Sequence, residues 1–112
     1  MILCCGEALI DMLPDELNTG QHCFVPKAGG AVFNTAVALG RLAVNVSLFT
    51  GISKDIFGEM LEKELAKSQV GTDYLVHFDL PSSLAFVKFV EQQAQYTFYS
   101  AQAADTLSLI HI

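Results

Sequence analysis

The pattern of apolar and polar positions divides the first part of the chain into strands and helices. The runs Ile2–Gly6, Val46–Phe49 and Tyr74–Phe78 are short and largely apolar, as strands buried on both faces are. Ala31–Leu42 and Ile56–Lys67 lie between them and have apolar residues at helical spacing. This strand–helix–strand–helix–strand order predicts an α/β fold with a mostly parallel sheet and flanking helices.

The two predicted helices differ in how they should pack. Ala31–Leu42 has Arg41 as its only charge, so we expect it to be buried on more than one side. The second helix follows a predicted turn, Thr50–Lys54, and Asp55 stands where an N-cap belongs, which explains this residue more simply than a metal site does. The second helix is amphipathic, with an apolar stripe formed by Phe57, Met60, Leu61 and Leu65.

Later in the chain the apolar pattern changes to a period of two. Leu84–Val90 and Gln95–Tyr99 flank a predicted turn, Glu91–Ala94, and this arrangement predicts an antiparallel hairpin. Nearer the beginning, Pro14–Gly20 has the composition of a turn or loop, and His22–Pro26 predicts a short exposed strand. The chain therefore combines a parallel α/β region with a smaller antiparallel one.

Composition argues against several classes of function. The net charge is −6 and no basic cluster exists, which argues against nucleic acid as a partner. No apolar run approaches the roughly 20 residues that span a bilayer, so we expect no membrane partner. The cysteines, Cys4, Cys5 and Cys23, are odd in number, which disfavours a disulfide framework or a zinc site. Reduced cysteines indicate a cytoplasmic protein.

The candidate ligand-binding residues lie around the start of the first helix. Gly29 and Gly30 would let the backbone approach a ligand closely, and Asn34 lies in the first helical turn beside that point. Asp11 has a carboxylate that can accept two hydrogen bonds. Each residue also has a plain structural explanation, because a glycine pair often makes a turn, Asn often caps a helix and a strand-end Asp is often solvated.

Two spaced motifs resemble the first signature of the pfkB (ribokinase-like) carbohydrate kinase family. The first motif consists of Gly29, Gly30 and Asn34 before an Ala-rich helix, and the second consists of Gly51, Ser53, Asp55, Phe57 and Gly58. The opening GEALID, residues 6–11, is similar to that of fructokinase-like members. The family's second signature, D-T-x-G-A-G-D, has no counterpart, since no glycine follows Gly71.

The resemblance implies that residues 1–112 form the N-terminal, substrate-binding part of a ribokinase-like domain. It implies sugar binding by Asp11, Gly29, Gly30, Asn34 and Phe98, although packing explains Phe98 equally well. It also implies a small antiparallel β lid, built from segments at about 20–26 and 84–100, with a homodimer through that lid as a further expectation. Ser100 replaces an arginine of relatives that act on sugar acids, which favours a neutral sugar such as fructose.

The missing second signature sets the expectation for catalysis. In the family it supplies the base and the anion hole of phosphoryl transfer, so we expect no catalytic residue in this segment. ATP and Mg²⁺ would belong to the full-length parent, and this segment would bind neither. Two alternatives stay open: a pfkB kinase for ribose, a nucleoside or 2-keto-3-deoxygluconate, and a sugar-binding or lid-association module that is not an enzyme.

Overall fold

The computed structural model describes residues 1–105, which form seven strands and two helices. Residues 106–112, which the sequence places in the same substrate-binding segment, lie outside the described residues. In chain order the elements are β1 (Ile2–Cys5), β2 (Leu9–Glu16), β3 (His22–Gly29), α1 (Ala31–Arg41), β4 (Val46–Ser53), α2 (Ile56–Lys67), β5 (Leu75–Phe78), β6 (Ser83–Val90) and β7 (Gln93–Tyr99).

A three-stranded parallel sheet in the order β1-β4-β5 forms the first layer, as the sequence predicts. Successive side chains of a strand point to opposite faces, so Val46, Leu48 and Ile52 share one face of β4. That face packs under both helices, where Phe33 of α1 and Leu61 of α2 are buried. Each fully buried side chain of this kind stabilises the fold by about 1.5–3 kcal/mol.

The first helix is buried on one side only, so the expectation of burial on several sides was wrong. Its exposed stripe consists of Ala31, Asn34, Thr35 and Ala38, which recur at helical spacing. Because these side chains are small or polar, their exposure to water costs little free energy. The helix can therefore have an exposed face even though Arg41 is its only charged residue. The second helix has the predicted bounds, Ile56–Lys67.

The other four strands form a second sheet, in the order β3-β2-β6-β7. The predicted loop Pro14–Gly20 was wrong in part, because Pro14 to Glu16 continue β2 and pair with β3. Pairing between β2 and β6 ends at Met12 and Phe86, so beyond Met12 this strand has a neighbour on one side only. A proline, which lacks an N–H donor, is tolerated at such an edge.

Three other boundaries also differ from the sequence prediction. The strand predicted at His22–Pro26 continues to Gly29, and Thr50 to Ser53 continue β4 rather than forming a turn. The hairpin turn is only Glu91 and Gln92, both with left-handed backbone, φ 51° and 67°. Two-residue hairpin turns favour Asn or Gly at these positions, and this turn contains neither residue.

Asp55 ties the start of α2 to the segment that enters β6. Its Oδ1 accepts hydrogen bonds from the Gly58 N–H and the Ser82 hydroxyl, both at 2.8 Å, and its Oδ2 accepts one from the Ser82 N–H at 3.0 Å. The predicted N-cap is confirmed. Burial raises the pKa of Asp55, but hydrogen bonds from Ser82, Gly58 and Ser53 outweigh it and hold the pKa below the ordinary value.

We expect Asp55→Ala to lower the free energy of unfolding by about 1–2 kcal/mol at neutral pH, since a cap and a cross-link are lost together. Because the folded pKa is depressed, the stabilisation is present above the ordinary value of 3.8 and is lost as the pH falls through the folded pKa. Urea unfolding at neutral pH and below about pH 3 measures the difference. Asp73→Ala, at an exposed position, is the control. A difference that persists at low pH would contradict this explanation.

The parallel sheet leaves apolar side chains in water at β1. Within residues 1–105, β1 pairs with β4 alone, and Ile2 and Leu3 are 46% and 39% exposed. Leu3 pairs with Ser47, and therefore lies on the face opposite the helices. An apolar edge strand with free backbone groups is a site of association. Neither described helix is long and apolar enough to cross a membrane.

We expect the isolated chain to associate through this edge, with an apparent mass that rises with concentration in size-exclusion chromatography with light scattering. Leu3→Lys should shift the population toward the monomer, because a lysine on an edge strand opposes pairing. Leu42→Lys is the matched control, since Leu42 is 75% exposed but lies at the end of α1. A monodisperse monomer with one cooperative thermal transition for the unmodified chain would contradict this.

Candidate functional site

A cleft of about 340 Å³ lies between the second sheet and the two helices. It brings together two predicted site residues that are far apart in sequence, Asp11 of β2 and Asn34 of α1. Lys27, Phe33, Arg41 and Glu64 also line it. At its outer end, the Arg41 Nη2 and the Glu64 Oε1 form an ion pair at 2.7 Å, so these two charges compensate each other.

Asp11 is a partly buried carboxylate without a hydrogen-bond partner in residues 1–105. Burial raises its pKa, and the positive charge of Lys27, its pairing partner on β3, opposes that rise. A carboxylate that has lost part of its hydration and accepts no hydrogen bond from the protein favours a ligand that donates hydrogen bonds. Asp11 is therefore available to bind a ligand.

Gly29 leaves room for the Asp11 side chain. A Cβ at position 29 would lie 2.5 Å from the Asp11 Oδ2, which is closer than van der Waals contact allows. The sequence interpretation was that the missing side chain lets a ligand approach the backbone. In this structure the space beside Gly29 is taken by the Asp11 carboxylate.

Gly30 is the N-cap of α1, and its backbone conformation needs glycine. Its φ of 107° and ψ of 141° are disfavoured for residues with a Cβ, which at this position would lie 3.1 Å from the Glu7 carbonyl oxygen. Asn34 is not the cap, since its own N–H donates to the Gly30 carbonyl in the first helical bond, at 2.8 Å. The Asn34 amide side chain is exposed toward the cleft and has no hydrogen-bond partner in the described part of the chain.

Phe98 does not line this cleft. It contributes instead to a separate cavity of about 580 Å³ beside Pro81, Ser82 and Ser100, and it is 60% exposed. The strand register nevertheless relates it to Asp11, because Asp11 pairs with Ala85 and Ala85 pairs with Phe98. Phe98 therefore shares the face of Asp11, two strand spacings or about 9.5 Å away.

Lys27 is the residue of this site that the sequence analysis missed. The predicted strand ended at Pro26 and so did not contain Lys27. The observed β3 runs to Gly29 and pairs Lys27 with Asp11. The signal was a lysine two residues before the glycine pair, flanked by residues that continue an alternating pattern. Among residues 1–105, no three or more His, Cys, Asp and Glu side chains are grouped to hold a metal ion.

Comparison with known proteins identifies the family of this chain. Residues 1–109 match the pfkB family of carbohydrate kinases, so the chain belongs to that family. The resemblance to its fructokinase-like members is confirmed by the fructokinase of Rhizobium leguminosarum bv. trifolii, which is 52% identical over 104 residues.

Solved structures agree in fold. The crystal structure of fructokinase from Xylella fastidiosa matches with a TM-score of 0.87 and 39% identity over 95% of this chain, and that enzyme has also been solved with bound ATP. A sugar kinase of Pyrococcus horikoshii in complex with ATP matches with a TM-score of 0.81 and 32% identity over 93% of the chain. The ribokinase-like α/β fold with a parallel sheet is confirmed.

The chain spans about a third of the length of these relatives. The match covers 93% of this chain but 32% of the Rhizobium fructokinase, and 34% of the Xylella fructokinase. The similarity therefore covers only about a third of each of these relatives.

The two adjacent glycines should respond differently to substitution. We expect Gly29→Ala to change the free energy of unfolding by less than about 1 kcal/mol, because the clashing atom is the end of a flexible side chain. It should displace the Asp11 carboxylate, which a changed carboxyl carbon chemical shift in NMR would report. Gly30→Ala should cost about 1–3 kcal/mol in urea unfolding, because its φ is positive. Equal stability of the two variants, or an unmoved Asp11 in Gly29→Ala, would contradict this assignment.

Proposed function

We propose that this chain is the sugar-binding part of a fructokinase-like kinase, which phosphorylates a hydroxyl of a neutral sugar with ATP. The observation that carries the proposal is the convergence of the Asp11 carboxylate and the Asn34 amide on one cleft, neither with a hydrogen-bond partner in residues 1–105. A sugar hydroxyl both donates and accepts hydrogen bonds, and so suits a carboxylate beside an amide.

The charges of the cleft favour a neutral sugar. Asp11 faces Lys27, and Arg41 is paired with Glu64, so the four charges sum to zero. Among the described residues of the cleft, Lys27 is the one cation not bound to another side chain, and it already faces Asp11. A sugar acid would therefore add a second negative charge for this one cation to balance. Together with Ser100, this supports fructose over 2-keto-3-deoxygluconate, in line with the similarity to fructokinases.

The four-stranded sheet is proposed as the lid over the sugar. Its segments near residues 20–26 and 84–100 belong to β3, β6 and β7, and β2 forms the centre of this sheet. Phe98 lies on the face of Asp11, so closure of the sheet over a bound sugar would bring its ring toward the same ligand. The backbone at Gly29 and Gly30 fixes the carboxylate and the start of α1 beside it.

The opposite face of this sheet supports the proposed homodimer. Phe24, Phe86 and Tyr99 form edge-to-face ring contacts with centroid distances of 5.1 and 5.6 Å. In the strand register, Phe24 and Phe86 align with Pro14 and Met12, on the side away from Asp11. A second copy that packs against these rings would leave the Asp11 face free.

The proposed reaction also needs a base and a phosphate-binding site, and the sequence analysis assigns neither to a residue of this chain. ATP and Mg²⁺ would supply the phosphoryl group and neutralise its charge, and no residue described here is assigned to either of them. The role of this part of the kinase is to bind and orient the sugar so that one hydroxyl faces the phosphoryl donor.

The test replaces the matching segment of the Rhizobium fructokinase with this chain. In the resulting chimera, Asp11→Asn should lower kcat/KM for fructose about ten- to a hundredfold, because a charged acceptor is lost. Asp15→Asn is the control, since Asp15 lies on the same strand and the same face but outside the cleft. This chain alone should release no ADP above a blank. Unchanged kinetics for Asp11→Asn, or turnover by the chain alone, would overturn the proposal.

A further inference from the structure

Lys27 faces Asp11 across the β2–β3 pair. It belongs to none of the sequence motifs, so they assign it no role. Directly opposed residues of an antiparallel pair have Cβ atoms about 4.5–5.5 Å apart, so the two side chains emerge side by side. Both line the cleft that also contains Asn34. Lys27 is an exposed residue that lines the cleft, so its ammonium group can reach a ligand bound beside Asp11.

The ammonium group of Lys27 is not used by the rest of the described chain. Within residues 1–105 it makes no hydrogen bond and no direct ion pair, whereas Arg41, the other cation of the cleft, is bound to Glu64 and to the Ser68 hydroxyl. Glu64 is thereby engaged as well, which leaves Asp11 as the carboxylate that faces Lys27 in this cleft. The cleft thus presents an acceptor and a cationic donor next to each other.

We propose that Lys27 is a specificity-determining residue of the sugar site, where it donates a hydrogen bond to the sugar oxygen next to the one that Asp11 binds. This inference rests on the proposed function. Adjacent hydroxyls of a sugar can divide their bonds in this way, one donating to the carboxylate and the next accepting from the ammonium group. A lysine has three donors and no acceptor, so the pair would distinguish a vicinal diol from an isolated hydroxyl.

A purely structural role makes a different prediction. If Lys27 only balanced the charge of Asp11, it would act on the ligand through Asp11, and its removal would have no effect once Asp11 is neutral. If Lys27 contacts the sugar, its removal weakens binding in both backgrounds. The double-mutant comparison therefore separates a ligand contact from a positioning effect.

The experiment measures D-fructose affinity by NMR titration of the full chain. Lys27→Met should weaken binding about tenfold, in the unmodified chain and again in the Asp11→Asn background, and Lys27→Arg should restore most of it. Lys88→Met is the matched control, since Lys88 is an exposed lysine of the same sheet on its other face. Equal affinity of the unmodified and Lys27→Met chains, or a loss confined to the chain with intact Asp11, overturns the proposal.

A second readout separates this inference from the proposed function. The pKa of the Asp11 carboxyl group, followed by NMR without sugar, should rise in Lys27→Met because the neighbouring positive charge is gone. A pKa that does not move shows that Lys27 does not face Asp11, and overturns the inference whether or not sugar binds. If the pKa rises but the unmodified chain binds no fructose, the proposed function and the donor role of Lys27 both fail.

Discussion

The antiparallel register between β2 and β3 is the constraint on which the site depends. It pairs Leu9 with Gly29 and Asp11 with Lys27, which puts the carboxylate, the ammonium group and the glycine on one face. A slip by one residue would turn every side chain of a strand to the other face. The same register fixes where β3 ends, and therefore where Gly30 begins α1 and points Asn34 toward the cleft.

Elements with strong local signals could be predicted from the sequence. The helix Ile56–Lys67 was predicted with correct bounds because its apolar stripe and its Asp55 cap are both local. The extension of β2 through Pro14 was missed because proline argues against a strand unless its missing N–H faces an open edge, and that is a property of the sheet. The turn predicted at Glu91–Ala94 was two residues too long, because no glycine marks its two residues, Glu91 and Gln92.

For the candidate site as well, the sequence could indicate what depends on local spacing but not what depends on pairing between strands. The spacing of the glycines and Asn34 selects residues that the structure places around the start of α1, beside the Asp11 cleft, because they lie within one short stretch. The juxtaposition of Asp11 with Lys27 depends on pairing between strands, which motif spacing does not contain. For Gly29 the sequence analysis gave close approach of a ligand as the reason for the missing side chain, whereas in the structure its absence makes room for Asp11. Phe98 is related to Asp11 only through Ala85 of the intervening strand.

The pairing of β2 with β6 determines when the four-stranded sheet can be completed. Leu9 near the start of the chain is the partner of Ser83, so most of the chain must be present before these strands meet. Contacts between distant parts of a sequence form slowly, because a long loop must close before they are made. During synthesis, β2 and β3 can pair as a hairpin as soon as both have been made, whereas β1 cannot pair until β4 has been made. The Asp11 cleft, which also needs α1 and α2, would therefore acquire its shape before the sheet that extends beyond it is complete.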